Sequence, residues 1–227
     1  MTITETFRSA KVGDIIPFGT YPQTESGTDR TPIQWRVLRH TDEELFVLSE
    51  YILACRQFHG DAKPYQTEDA DIAWQNCDLR KWLNEHFYHT AFDPIEQAFI
   101  KTNRCFDNGE GSPDTDDKVF LLSDTEVKEL TQKKPEDESS VRRCTIGTEF
   151  ARQKTIEGNH LYVYDKKTRE DYLIDQGLEI GCSWWWLRSQ VAVSERAFFV
   201  GTGSSIRNYG RVNLKCYGVR PAIKIVL

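Results

Sequence analysis

Three consecutive tryptophans, Trp184, Trp185 and Trp186, restrict the folds open to this 227-residue chain more than any other feature. On an extended backbone successive side chains point to opposite faces, so three adjacent rings cannot share one side. At least one ring must go to the face opposite the other two, against a helix or at the surface. The set reads as core packed under helices from the middle of the chain, with Trp185 as the ring left to stack on a sugar or another flat ligand.

The tryptophans open a series of strand-like segments: 184–189, 197–200, 205–212 and 218–227. Strand signals also fill the beginning. Residues 12–21 form an extended run closed by Gly and Pro, and Pro32 to Leu38 alternates so that Ile33, Trp35 and Val37 share a face. Residues 41–44 turn the chain and 45–49 return, which predicts an antiparallel hairpin or meander.

Helical spacing appears between these ends. Asp78 stands as an N-cap before Leu79, Trp82, Leu83 and Phe87, which fall on one helical face. Asp93, Pro94 and Glu96 form a capping-box start for a second helix, with Ile95 and Phe99 facing inward. Ser123 and Glu126 repeat the box before a helix running to Leu130, and 145–154 holds another short helix. Residues 119–122 read as a buried strand, and 161–164 and 172–174 as strands around a charged tip at 165–171. With strands at both ends, helices in the middle and no βαβ alternation, the expected fold is α+β. It has one mainly antiparallel sheet in a single domain over residues 1–227.

The charge pattern excludes several function classes. The net charge is −6, yet Arg188, Arg196, Arg207, Arg211, Lys215, Arg220 and Lys224 crowd the last forty residues. An acidic chain without a long basic block is poorly suited to nucleic acid, whose affinity rests on phosphate contacts. No stretch reaches the length of a membrane span, and the N-terminus lacks the apolar core of a secretory signal, so the expected location is cytoplasmic. The six cysteines form no C-x-x-C pair. They read as reduced, half-buried thiols, and the pairing that neighbouring strands would allow is Cys182–Cys216.

No nucleophile elbow, phosphate-binding loop or dinucleotide fingerprint is present, so no catalytic residue and no cofactor is assigned. His86 and His89 lie three apart on a helix but lack a third ligand, and they read as a half-buried helix edge. The acidic residues at 107–117 lack a calcium-loop register and read as a solvated loop. No metal site is assigned.

Residues 190–217 are short on obligatory core positions and rich in Tyr, Arg, Ser and Asn, the mixture that builds adaptable binding surfaces. Alternation places Ser205, Arg207, Tyr209 and Arg211 on one face, with Ile206 and Val212 toward the core. Asn208 and Gly210 break the period and predict a bulge. Ser194, Glu195, Arg196, Phe199, Lys215 and Tyr217, together with Trp185, complete the candidate ligand-binding set. The competing description of the segment is an ordinary solvated β-face. Arg188 and Arg220 are expected to hold buried turns by donating to backbone carbonyls.

Five segments in order carry a resemblance that spans nearly the whole chain. They are G-D-I-I-P-F-G-T-Y from Gly13 with I-Q-W-R-V-L from Ile33, L-R-K-W-L-N-E-H-F-Y from Leu79, K-V-F-L-L-S from Lys118, W-W-L-R-S from Trp185 and G-V-R-P-A-I from Gly218. This set resembles an uncharacterised bacterial domain family of unknown function. The tail is also similar to the C-type lectin fold, in the formylglycine-generating-enzyme variety used by the variable proteins of diversity-generating retroelements. That likeness implies a non-catalytic scaffold displaying variable residues between the two tail motifs, for a protein or glycan ligand. Where that family carries Pro after W-L-R-S, Gln190 stands here, which predicts a looser start to the following loop. Two other readings remain: a structural or regulatory interaction domain with no ligand site in the tail, and a metal- or thiol-dependent oxidase related to formylglycine-generating enzymes. The oxidase needs two neighbouring cysteines near the end, and Cys182 and Cys216 lie 34 residues apart.

Overall fold

The computed structural model describes residues 3–60, 72–134, 136–137, 139–164, 181–191 and 195–227. A short helix α1 (Ile3–Ser9) precedes the expected meander of β1 (Ile15–Tyr21), β2 (Thr31–His40) and β3 (Glu44–Ser49). The short strand β4 (Ala54–Cys55) comes next. After a 3-10 turn at Trp74–Asn76, α2 (Asp78–Lys81) runs through a π segment at Trp82–Phe87 into α3 (Tyr88–Ala91). Then come α4 (Pro94–Phe99), β5 (Ile100–Lys101), β6 (Asn103–Cys105), β7 (Thr115–Asp117), α5 (Asp124–Leu130) and α6 (Glu149–Arg152). The tail supplies β8 (Trp185–Gln190), β9 (Arg196–Val200), β10 (Ile206–Arg211), β11 (Gly218–Val219) and β12 (Ala222–Val226).

The architecture is α+β and mainly antiparallel, but the strands divide into two five-stranded sheets where one was expected. The first runs β1-β2-β3-β12-β5 and the second β10-β9-β8-β11-β4, with β6 and β7 forming a separate hairpin. Only β8 and β11 pair in parallel, at Trp185 and Gly218, among the described strands. Two stretches pass side by side from one sheet to the other: the chain between β3 and β4, and Arg220-Pro221 between β11 and β12. Ser49 N donates to Pro221 O and Leu53 N to Val219 O, which stitches the two crossings together.

Both capping boxes form as the local sequence dictates. Asp93 accepts from Ile95 N and Glu96 N, while Ser123 accepts from Glu126 N. Such caps satisfy amide groups that a helix start otherwise leaves bare. The helix at 78 begins one residue differently, with Cys77 as the N-cap whose sulfur accepts from Arg80 N. Leu79, Leu83 and Phe87 are buried as their spacing requires. Ile95 does not face inward: it is 73% exposed, while Phe99 is half-buried against Phe7. A six-residue helix held by its cap and by Glu96, which accepts from Gly19 N, has its rotation set by those bonds rather than by one isoleucine.

Residues 119–122 are buried but form no regular strand: Phe120 bridges Ala222, and Arg188 N of β8 donates to Leu122 O. The expected helix at 145–154 narrows to α6, capped by Thr148. The strand at 161–164 is reduced to a bridge from Val163 to Ser183. The expected strand at 172–174 and the charged tip at 165–171 lie outside the described residues.

Candidate functional site

The frame of the tail is built from completely buried side chains. Every residue of β8 is buried, and the alternation of the three tryptophans sorts them between two faces. Trp186 stacks on Tyr217 with ring centroids 3.9 Å apart, and Trp184 packs on Tyr217 and Phe199 at 5.3 and 5.8 Å. Trp185 points the other way, beneath the Arg220 guanidinium at 5.2 Å, and its Nε1 donates to Arg143 O. At 0% exposure Trp185 is not the ring left for a ligand. The least buried of the three is Trp184, half-buried and stacked at 3.9 Å on the half-buried Tyr162.

Arg188 and Arg220 hold the frame as expected. Arg188 donates to Leu121 O, Phe106 O and Asn108 Oδ1, and pairs with Glu126 at 2.5 Å. Arg220 donates through Nε to Ser49 O at 2.8 Å and through Nη1 to Arg142 O at 2.9 Å. Burial pulls its guanidinium down to about 10, partly opposed by the nearby Glu50. Gln190 is itself held by three hydrogen bonds, while residues 192–194 of the loop that follows lie outside the described residues. The Gln190 amide oxygen accepts from Ser112 Oγ, its Nε2 donates to Ile72 O, and its backbone N donates to Asn108 O.

The candidate binding residues separate into displayed and buried groups. Arg196, Arg207, Tyr209, Arg211 and Lys215 are exposed, with Tyr209 at 53%. Ser205 and Glu195 are half-buried. Phe199 and Tyr217 lie in the core, which corrects their place in the candidate surface, because both rings serve as packing partners of the tryptophans. Ser194 falls outside the described residues. The predicted bulge is present: the β9–β10 register shifts between Arg207 and Gly210, which exposes Arg207, Asn208 and Tyr209 in succession. Gly210 is needed beneath them, since a Cβ there would meet the Trp186 ring at 2.6 Å. The hairpin closes with Gly201 N donating to Ser205 O and Ser204 at a φ of 59°.

The cysteines differ from expectation. Cys182 is bonded to Cys144 instead of Cys216, because the strand-like bridge between Ile146 and Cys182 lays those segments side by side. Cys216 is a half-buried free thiol. Burial pushes the thiols of Cys55, Cys77 and Cys105 up to about 12, which keeps them protonated and poorly nucleophilic at neutral pH.

His86 and His89 are exposed rather than half-buried, and His86 stacks on Trp82. The loop at 107–117 is not wholly solvated. Asp117 is buried and accepts from Trp74 Nε1, Arg80 Nε and Thr115 Oγ1. Among the described residues no three His, Cys, Asp or Glu side chains converge as a metal site would require. No helix among them is long and apolar enough to cross a membrane.

A concave feature elsewhere had no sequence signal. A cleft of roughly 530 Å³ opens between the first sheet and α5, lined in part by Arg39, Phe46, Lys101 and Lys224. These four residues come from four strands, so no local pattern joins them.

Together these features describe an α+β, mainly antiparallel protein carrying a basic, tyrosine-bearing hairpin on a buried arginine–tryptophan frame. The chain belongs to the family described as Domain of unknown function (DUF6273), whose profile matches residues 42–227. The match begins after the first pair of segments quoted for the resemblance, those starting at Gly13 and Ile33. No curated protein and no solved structure matches the chain.

Proposed function

We propose that this protein is a non-catalytic binding module that captures a protein or glycan ligand on the outer face of β9 and β10. The observation that carries this reading is the division of labour within one short segment. The residues of the two tail motifs are buried, the first in β8 and the second running from β11 into β12, with β8 and β11 side by side, while the intervening Arg196, Arg207, Asn208, Tyr209 and Arg211 face outward. A rigid ring flanked by guanidinium groups offers a large contact area with little side-chain ordering cost. On a chain of net charge −6, this local excess of cations selects for a ligand bearing negative groups.

The same division supports the finer reading of the scaffold as C-type-lectin-like, with the variable proteins of diversity-generating retroelements as a functional parallel. In that reading the motifs frame the display and the residues between them set specificity. For the oxidase alternative, the Cys182–Cys216 pair weighed from the sequence is not the pair formed, since Cys182 is bonded to Cys144.

The test is a triple variant, Arg207→Ala, Tyr209→Ala and Arg211→Ala, applied with the parent chain to protein and glycan arrays. Exposed substitutions cost roughly 0.5 kcal/mol or less each, so the melting temperature should stay within a few degrees. Loss of capture with a retained fold is the expected result. Unchanged capture would place the site elsewhere, and unfolding would show the face to be structural.

A further inference from the structure

The cleft beside α5 has a charge layout that the β9–β10 face does not share. Its floor and one wall are a transverse row across the first sheet. Arg39 stands opposite Phe46, Phe46 opposite Lys224, and Lys224 opposite Lys101. Direct cross-strand partners project on the same side, so three cations gather around one ring. Glu44, two positions along from Phe46, answers two of them, pairing with Lys101 at 2.7 Å and Lys224 at 3.0 Å. One carboxylate against three cations leaves this wall with an excess of two positive charges. Arg39 is exposed and has no ion pair among the described residues.

On the other side the two cations are already answered, Arg104 by Asp116 at 3.0 Å and by Asp114, and Arg188 by Glu126, and the charges left over are negative. Glu126 is occupied by Arg188 and by Ser123 N, but Asp107 and Glu129 are exposed, and their carboxylates take no hydrogen bond or ion pair from a described residue. Asp107 is held at a φ of 60°, a left-handed state that Asp adopts more readily than most residues. The Phe106 ring, 61% exposed, also lines the cleft. The volume lies within the range of small-molecule sites, roughly 300–1,000 Å³.

A simple anion in this cleft would face Asp107 and Glu129, and a simple cation would face the lysine row. We infer that the cleft binds a small zwitterion of the amino-acid or short-peptide class. Its carboxylate would lie on Arg39, Lys101 and Lys224, its ammonium on Asp107 and Glu129, and its apolar body against Phe106. This site uses none of the β9–β10 residues, so it stands or falls independently of the proposed tail surface.

The test is isothermal titration of the full chain with phenylalanine, Gly-Phe and Gly-Gly-Phe, which step the separation between the charged ends. At least one should bind with a Kd below about 1 mM. The N-acetylated and C-amidated forms of that compound should each bind at least tenfold more weakly. Arg39→Glu and Glu129→Lys change exposed side chains, and each should weaken the free compound at least tenfold while leaving the melting temperature within a few degrees. Absence of saturable binding by all three compounds would overturn the inference. So would a capped form binding as tightly as the free one, or affinity unchanged in both variants.

Discussion

Arg220 sits where two stretches of chain leave one sheet and enter the other, and replacing it by lysine measures how much that crossing depends on a planar fork. The guanidinium is 1% exposed and spans two acceptors on separate segments, Ser49 O at 2.8 Å and Arg142 O at 2.9 Å. Lysine keeps the charge, so the cost of burying it is largely unchanged. Its single ammonium cannot reach both carbonyls in the geometry the fork uses. One charge-assisted bond is lost, about 2 kcal/mol, and one buried carbonyl is left without a partner. Loss of the guanidinium face over Trp185 adds about 0.5–1 kcal/mol. The total is about 3 kcal/mol, which in a chain of this size lowers the melting temperature by roughly 6–12 °C. Urea unfolding of both proteins, followed by tryptophan fluorescence, reads the difference directly. A change below about 0.5 kcal/mol with an unaltered denaturant slope would refute the claim that the guanidinium fork holds the crossing.

Two further perturbations probe the same region. Burial pushes the Glu50 carboxyl up, but hydrogen bonds from Arg36 and the charges of Arg220, Arg36 and Arg142 outweigh it and hold the group below its ordinary range. A carboxylate depressed in the folded state adds stability that is complete above its unfolded value near 4.3 and disappears as pH falls through the lower folded value. Unfolding free energies from pH 7 to pH 3 should therefore fall less steeply below about pH 4.3 in Glu50→Gln than in the parent, and identical slopes would exclude the coupling. The Cys144–Cys182 bond closes a separation of 38 residues, for which chain entropy gives about 4 kcal/mol. Reductant should lower the melting temperature of the parent by several degrees and leave a Cys144→Ser, Cys182→Ser variant unmoved; a parent indifferent to reductant would contradict the bond's contribution.

How far the fold was legible in the sequence depends on the range of the interactions involved. The capping boxes at Asp93 and Ser123 depend on residues within a few positions of one another and the β1–β3 meander on partners no more than 21 apart, and all three form. Alternation makes Trp185 the ring that parts from the other two but does not say which face meets which partner, because that is set by Tyr217 and Tyr162 arriving from elsewhere in the chain. Ile95 departs from its spacing for a related reason: in so short a helix a cap and one distant amide outweigh one apolar side chain. The bulge at Asn208 was legible from a local break in period. The division into two sheets, the parallel β8–β11 pair and the partner of Cys182 depend on long-range assembly that carries no spacing rule. The cleft was the least legible feature, since Arg39, Lys101 and Lys224 meet only because β12 lies between β3 and β5.

That placement of β12 also governs how the molecule can be made. An interior strand of the first sheet is translated after every other described strand. Until residues 222–226 leave the ribosome, β3 faces solvent with an open edge beside Leu45 and Val47, waiting for Ile223 and Ile225 to cover them. An open apolar edge is a template for pairing with another chain. Premature termination or proteolytic trimming before residue 222 would therefore do more than shorten the protein. It would release a sheet with a missing interior strand, and such fragments should depend on chaperones or degradation to stay out of aggregates.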